Sequence, residues 1–291
     1  MAGSISDALS ALKHEVSRKP KSKSTDIQVG ALQPLVDALD VVNDTSKTSI
    51  PTDVLQNLVD FFSSTILPFY VSHPPQALHL SAVFISQVYV TKLSPGLSRT
   101  SNKTNAGKDQ ERWERIIDEG VLTGLQDYVD MEQSDMRALG SALYPILCQM
   151  LTAKSSEYLG VCFRRQMCTV LAESARGQAE NKATLTSSSS LGGTRLGELI
   201  ATTKDCLLLD SLLELAGRLT PSSRTPKDRI AFVNEVFQND KARATFGTQV
   251  SRELADMLGA ARGSDFRQLS NGMLAAMARR DIHRPLIRIR Y

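Results

Sequence analysis

Apolar residues recur at intervals of three and four along most of the chain, which is the spacing of one face of an α-helix. The first such stripe consists of Ile5, Leu9, Leu12 and Val16. Similar stripes continue to the segment between Phe266 and Met277. The pattern therefore predicts about a dozen helices over residues 1–280 and an all-α fold class.

Residues 74–93 are predicted to form the most central helix, because the stretch from Leu78 to Leu93 is apolar almost all round. Its sequence VFISQVYV is also rich in β-branched and aromatic residues, so a strand is the alternative there. Further along, Glu119-Gly120-Val121-Leu122 is predicted to form a turn between two helices, where glycine permits a sharp angle between them.

Two polar segments interrupt the helical pattern, about 94–109 (SPGLSRTSNKTNAGKD) and about 177–193 (GQAENKATLTSSSSLGG). Both are predicted to be mobile loops. Pairs of the predicted helices would repeat every 45–50 residues or so, which is near the armadillo and HEAT period of about 40–47 residues. The predicted architecture is therefore one armadillo/HEAT-like solenoid over residues 1–280, with a globular helical bundle as the competing fold.

The last residues follow a different pattern. Within 281–291, Ile287, Ile289 and Tyr291 alternate with arginines, which is the spacing of a β-strand. A lone strand leaves backbone groups unpaired on both edges and needs a partner sheet. We therefore expect 281–291 to be a basic strand that leads into a downstream domain outside this chain, so that the chain is the N-terminal domain of a longer protein.

The 291 residues are 42% hydrophobic and carry a net charge of +3, which argues against a wholly disordered chain and a strongly basic nucleic-acid coat. The positive charge is concentrated at the ends: residues 1–23 carry +3, residues 279–291 carry +4, and the middle carries −4.

The basic N-terminal segment is interpreted as a flexible connector, a phosphate-contacting arm or a nuclear address. Its residues are Arg18, Lys19, Lys21 and Lys23. A basic partner-binding surface is predicted from the other cations, with a solvated helix face as the competing interpretation for Arg164 and Arg165. That surface consists of Arg279, Arg280, Arg284, Arg164 and Arg165.

The sequence contains no nucleotide-binding, serine-hydrolase, zinc-protease or EF-hand motif. The four cysteines lack metal-ligand spacing and are expected to be reduced and buried, as suits the cytosol or nucleus. No apolar run reaches 18 residues, so no membrane span is predicted. We therefore expect no catalytic residue, metal, cofactor or small-molecule substrate.

Several short motifs in the C-terminal part resemble one protein family. They are LLLDSLLELAGRLTPSSR (207–224), a helix ending at Val236-Phe237, DFRQLSNGML (265–274) and the arginine-led strand after Arg279. EGVLTGLQDYV (119–129) adds to them. Together they resemble the armadillo-like N-terminal region of the synaptonemal complex protein 2 type of meiotic chromosome axis core proteins. The resemblance covers about 115–291 with gaps, and residues 1–110 show none.

The resemblance implies an armadillo-like scaffold on the chromosome axis in meiotic prophase. It also implies a pleckstrin-homology-like domain after the strand, and later regions that bind HORMA-domain partners and form a coiled coil, all outside this chain. We expect a non-enzymatic interaction scaffold in the nucleus, on chromosomes, with chromosome axis or centromere proteins as partners. The alternatives are a nucleic-acid-binding helical domain that uses the basic ends and a helical-repeat adaptor unrelated to meiosis.

Overall fold

The computed structural model describes residues 2–17, 32–44, 52–64, 66–94, 105–261 and 266–278. Every regular element in these ranges is helical, so the predicted all-α class is confirmed. The predicted strand at 281–291 lies outside the described residues. The chain divides into two compact units, residues 1–150 with 155–160 and residues 151–154 with 161–291, where the sequence predicted one domain over 1–280.

The first unit is built from eight α-helices in its described residues, the last of which extends two residues beyond it. They are α1 (Ala2–Ser17), α2 (Gln33–Asp44), α3 (Thr52–Ser64), α4 (Leu67–Ser72), α5 (Pro74–Val88), α6 (Asn105–Ile117), α7 (Thr123–Val129) and α8 (Met136–Thr152). Two π-helical turns, Tyr89–Leu93 and Asp118–Leu122, follow α5 and α6 directly. A short 3₁₀ turn, Lys154–Tyr158, follows, and all of it except Lys154 belongs to this unit.

Helix α5 lies at the centre of the first unit, and α2 and α4 pack against it. Its apolar residues are buried around the whole circumference, so the helix is confirmed and the alternative strand is wrong. Aromatic packing joins it to α3, because the Phe62 and Phe84 rings stack with their centroids 4.6 Å apart. The single tryptophan, Trp113, is only 2% exposed, and the Lys92 ammonium lies 5.6 Å from its ring.

The predicted turn at Gly120 is wrong. Backbone angles at Ile117, Leu122 and Thr123 are right-handed helical, so α6, the π turn and α7 form one continuous helical segment. Gly120, Val121 and Leu122 are buried, and α3 packs against this π turn. The extra residue of a π turn shifts the helical register without a reversal of direction. Gly120 therefore does not form a corner between two helices.

The second unit contains seven α-helices in its described residues. They are α9 (Val161–Ser174), α10 (Ala179–Leu185), α11 (Arg195–Thr202), α12 (Cys206–Leu219), α13 (Pro226–Phe237), α14 (Asp240–Ala260) and α15 (Phe266–Ala278). Helix α14 kinks at Gly247, whose φ of +78° suits glycine.

Helix α12 is the centre of the second unit and packs against α9, α11 and α15. Its leucines face several neighbours at once, and Leu208, Leu209, Leu212, Leu213 and Leu215 are all at most 2% exposed. The helix begins where the Asp205 side chain accepts hydrogen bonds from the Leu207 and Leu208 amides, at 2.9 and 3.0 Å. This is an ordinary aspartate N-cap.

The segment at about 177–193, which was predicted to be a mobile loop, is not a loop throughout, because it contains α10 and a series of hydrogen-bonded turns. Its two leucines, Leu185 and Leu191, are buried and anchor it to the core. The buried Asn181 amide donates to the Ser174 carbonyl at 2.9 Å. Of the other predicted loop, 95–104 lies outside the described residues, and α6 begins at Asn105.

The cysteines only partly match the expected burial. All four are free; Cys148 and Cys168 are buried, Cys206 is partly exposed and Cys162 is exposed. The prediction fails for Cys162 because it lies in the first turn of α9, before the buried face begins at Phe163.

Candidate functional site

The structure describes two of the residues proposed for a basic surface, Arg164 and Arg165 on α9, and both are partly exposed. The Arg165 Nε donates to the Ser211 hydroxyl on α12 at 3.3 Å. The other proposed cations lie outside the described residues, so the predicted surface stays a prediction. They are Arg279, Arg280, Arg284, Arg18, Lys19, Lys21 and Lys23.

The described residues of the second unit form a cleft of 880 Å³. This volume falls within the range of about 300–1,000 Å³ that is usual for ligand sites. Three kinds of side chain line it. Hydroxyls come from Thr186, Thr220, Ser222, Ser223 and Thr225; apolar groups from Leu219, Pro221 and Phe266; charges from Lys182, Asp228 and Arg229.

One wall of the cleft forms where the chain passes from α12 to α13. Helix α12 ends before Thr220, whose backbone is extended as expected of a residue that precedes proline. Helix α13 begins at Pro226, which suits the first turn of a helix because its missing N–H is not needed there. The polar connection between them therefore brings several hydroxyls to one place.

Arg229 fixes this wall. Its guanidinium donates to the carbonyls of Pro221 at 2.7 Å, Gly259 at 2.8 Å and Leu258 at 3.2 Å, and also to that of Ala261. The last three carbonyls belong to the C-terminal end of α14, where a cation is favourable. Arg229 therefore holds the polar connection against α14, and its donors are already occupied by the protein.

A second arginine supports the apolar side. The Arg218 guanidinium contacts the carboxylates of Glu173 at 2.9 Å and Glu214 at 3.4 Å. The Arg218 Cζ atom lies 5.0 Å from the centroid of the Phe266 ring, within the range of a cation–π contact. These contacts keep the Phe266 ring in place beside the cleft.

Lys182 gives the cleft its electrostatic character. Burial and the nearby positive charge of Arg218 lower the pKa of the Lys182 ammonium. In the described part of the chain no carboxylate lies within salt-bridge distance of Lys182, and the cleft's own acidic residue is Asp228. The side of the cleft next to Lys182 is therefore short of negative charge.

A smaller cleft of 390 Å³ lies in the first unit beside the second π turn. Lys108, Arg112 and Arg115 line it from one face of α6, at spacings of four and three residues. Arg112 donates to the Gln56 side chain at 2.8 Å. Arg115 pairs loosely with Glu111 and Glu119, at 3.8 and 3.9 Å, so most of this charge is locally balanced.

Sequence reasoning missed the larger cleft because its walls come from distant parts of the chain. Lys182 lies in the segment expected to be a loop, Pro221 ends a leucine-rich motif, and Phe266 begins the last helix. The available signal was the Thr-Pro-Ser-Ser-Arg-Thr-Pro run at 220–226, a polar connection between two strongly apolar helices.

In the described ranges, no three His, Cys, Asp or Glu residues come together as a potential metal site. No described helix is both long enough and apolar enough to cross a membrane. Comparison with known protein families, with curated proteins and with solved structures finds no significant match to this chain. The resemblance to meiotic chromosome axis proteins therefore stays a prediction.

Proposed function

We propose that this chain is a non-enzymatic protein-interaction scaffold, and that the second unit's cleft receives a peptide segment of a partner protein. The observation that carries this proposal is the composition of the cleft, which combines hydroxyls, apolar side chains and a half-buried lysine in 880 Å³. Peptide recognition uses this combination, because apolar pockets hold side chains while polar groups bind the main chain.

The finer architecture belongs to the same proposal. Consecutive helices pack on one another in the second unit, as α13 does on α14 and α14 on α15. Such packing suits an armadillo- or HEAT-like arrangement, in which stacked helices present an extended binding face. A C-terminal strand at 281–291 is part of this proposed architecture, supported by the alternation of Ile287, Ile289 and Tyr291 with arginines.

We further propose that the scaffold is the N-terminal domain of a meiotic chromosome axis core protein and works in the nucleus, on chromosomes. The support is the motif resemblance, most of all at 207–224 and 265–274. The first of these segments reaches the wall of the cleft, because it includes Leu219, Pro221 and Ser222. Chromosome axis or centromere proteins are the proposed partners.

The experiment is an affinity capture from meiotic extract with three forms of the chain: wild type, Ala183→Trp and Ala231→Trp. Ala183 lines the cleft and is exposed, so tryptophan there fills the cleft without removing a hydrogen bond. Ala231 is also an exposed alanine, lies on α13 outside the cleft lining and serves as the matched control.

Chromosome axis or centromere proteins should be captured by the wild type and by Ala231→Trp, and lost with Ala183→Trp. Equal capture by both variants would show that partners bind away from the cleft. Capture of cytosolic trafficking or signalling proteins alone would contradict the meiotic identity and favour an adaptor unrelated to meiosis.

Nucleic-acid binding is the second candidate function. The observation that favours it is the concentration of positive charge at the two ends of the sequence, +3 over residues 1–23 and +4 over residues 279–291. Binding through phosphates releases counterions and must weaken steeply with salt. Affinity for duplex DNA that is weak and unchanged between low and physiological salt would contradict this candidate.

A further inference from the structure

We propose that the cleft recognises an acidic peptide, with an Asp or Glu side chain of the partner bound at Lys182 and a neighbouring apolar side chain against Phe266. This assignment deepens the proposed function and rests on it. The partner is defined by its chemistry alone: a short segment in which a carboxylate lies close in sequence to an apolar residue.

The charges around Lys182 favour a negatively charged ligand. Lys182 lies on α10 and Arg218 on α12, and their positive charges repel each other. Arg218 has the carboxylates of Glu173 and Glu214, whereas Lys182 has no carboxylate within salt-bridge distance in the described ranges. A bound carboxylate at Lys182 would offset both this repulsion and the cost of its partial burial.

The cleft also has an apolar wall, which can receive an apolar side chain of the peptide. Leu219, Pro221 and Phe266 line the same cleft as Lys182. The Phe266 ring is held in position by the Arg218 guanidinium above it. An apolar side chain next to the partner's carboxylate would therefore meet a preorganised surface, which lowers the entropic cost of binding.

A hydroxyl of the cleft is available to the main chain of a bound peptide. Most cleft hydroxyls already donate within the protein: Thr220 to Ala216, Thr225 to Ser222 and Thr186 to Lys182. Ser223 is exposed, and its hydroxyl forms no hydrogen bond with another described residue. Ser223 can therefore donate to a carbonyl, or accept from an amide, of a bound peptide.

The charges favour a carboxylate over nucleic acid. Lys182 is a single ammonium, and Asp228 on the same cleft would repel a second anionic group. Nucleic-acid affinity comes from several phosphate contacts at once, which this cleft does not offer. One acidic side chain beside an apolar one matches the cleft better.

The test is a selection from a phage-displayed library of random twelve-residue peptides on the immobilised full chain. Peptides eluted from the wild type should be enriched in Asp or Glu next to an apolar residue. Fluorescence anisotropy of synthesised peptides then compares the wild type with Lys182→Glu, Lys182→Gln and Lys204→Glu. Lys204 is exposed, lies in the same unit and does not line the cleft. Lys204→Glu therefore changes the net charge by the same amount as Lys182→Glu without altering the cleft.

Lys182→Glu should weaken binding at least tenfold and Lys182→Gln by a smaller factor, with Lys204→Glu close to the wild type. The helical circular dichroism of each variant checks that it folds. If Lys182→Glu does not fold, the neutral variant Lys182→Gln still tests the loss of the positive charge. Enriched peptides without acidic residues, or equal weakening by Lys182→Glu and Lys204→Glu, would overturn the acidic-peptide assignment.

Two further outcomes distinguish failure of the acidic-peptide assignment from failure of peptide docking in the cleft. If phosphoserine in place of the acidic residue tightened binding more than tenfold, the preferred group would be a phosphate and the carboxylate assignment would be wrong. If no selected peptide lost binding on Ala183→Trp, the cleft would not dock peptides, and the proposed function itself would fail at this site.

Discussion

Gly217 and Phe266 approach each other so closely that a methyl group on Gly217 would lie 2.5 Å from the Phe266 Cδ1 atom. The contact joins the last turn of α12 to the first residue of α15. Because Phe266 also forms part of the cleft wall, this contact links the packing of two helices to the shape of the candidate site.

Gly217→Ala should therefore destabilise the protein, since the ring must move to admit the methyl group. Overpacking of this kind costs about 1–3 kcal/mol, and urea unfolding followed by circular dichroism would measure it. Gly259→Ala is the matched control, because nothing lies within 4 Å of its added methyl group. That change should be neutral or stabilising by up to about 1 kcal/mol. Equal stability of the two variants would contradict the contact.

The Arg218 and Glu173 side chains should be energetically coupled in the folded protein. Its side chains are only 15% and 26% exposed, and the nitrogen–oxygen distance is 2.9 Å. A double-mutant cycle with Arg218→Met and Glu173→Gln should give a coupling free energy of about 1 kcal/mol or more.

Arg176 provides the control for this cycle. It contacts the same Glu173 carboxylate at 3.6 Å, but its side chain is 70% exposed. Exposed pairs contribute about 0–1 kcal/mol, so the cycle with Arg176→Met should give a coupling near zero. Comparable coupling in the two cycles would show that burial does not distinguish the pairs.

Tyr70 should make folding sensitive to alkaline pH. The residue is fully buried, and burial raises the pKa of its phenol well above the ordinary value of 10.0. The Ser81 hydroxyl donates to the Ala77 carbonyl at 2.9 Å, so the Tyr70 hydroxyl donates to the Ser81 oxygen at 2.7 Å. If Tyr70 ionised, its oxygen would have no proton to donate to Ser81, and the negative charge of the phenolate would be buried.

The sign of the effect follows from the raised pKa. Above pH 10 the unfolded chain loses the Tyr70 proton while the folded chain keeps it, so stability falls by up to about 1.4 kcal/mol per pH unit. Tyr70→Phe should remove this contribution at a cost of about 1 kcal/mol at neutral pH. Tyr158→Phe is the control, since that ring is 59% exposed. Equal alkaline slopes for wild type and Tyr70→Phe would contradict the prediction.

The sequence predicted most of the helices because burial follows their periodic stripes. Ile5, Leu9 and Leu12 are each at most 3% exposed, as one face of a helix requires. Helix α10 was missed because its segment, Ala179–Leu185, offers one large apolar residue, Leu185, which makes no stripe of helical spacing. The turn at Gly120 was wrong because glycine permits a corner without requiring one.

The cleft could not be predicted for a different reason. The pattern along the chain identifies which residues are apolar or charged, but the proximity of Lys182 to Arg218 depends on how α10 lies against α12. The spacing of apolar residues along each helix does not determine how these two helices pack together. Of the basic residues that the sequence did single out, the structure describes Arg164 and Arg165, which are partly exposed on α9, and Arg165 donates to the Ser211 hydroxyl.

Asp118, in the second π turn, should lower stability at neutral pH. Burial, together with the negative charge of Glu119, raises the pKa of the Asp118 carboxyl above its ordinary value of 3.8. One of its oxygens is buried and forms no hydrogen bond with another described residue. As pH rises from 3.8 through the raised pKa, the unfolded chain releases this proton more readily than the folded chain, so stability falls over that window.

Asp118→Asn removes the charge and should leave a protein more stable than the wild type at pH 7. The side chain is only half-buried, so solvent screening limits the gain to less than about 1 kcal/mol. The difference should vanish near pH 3, where the carboxyl is protonated in both states. Urea midpoints at the two pH values would measure it, with Asp127→Asn as a control because Asp127 is exposed on α7. A gain that is equal at pH 3 and pH 7 would show that the charge of Asp118 is not its cause.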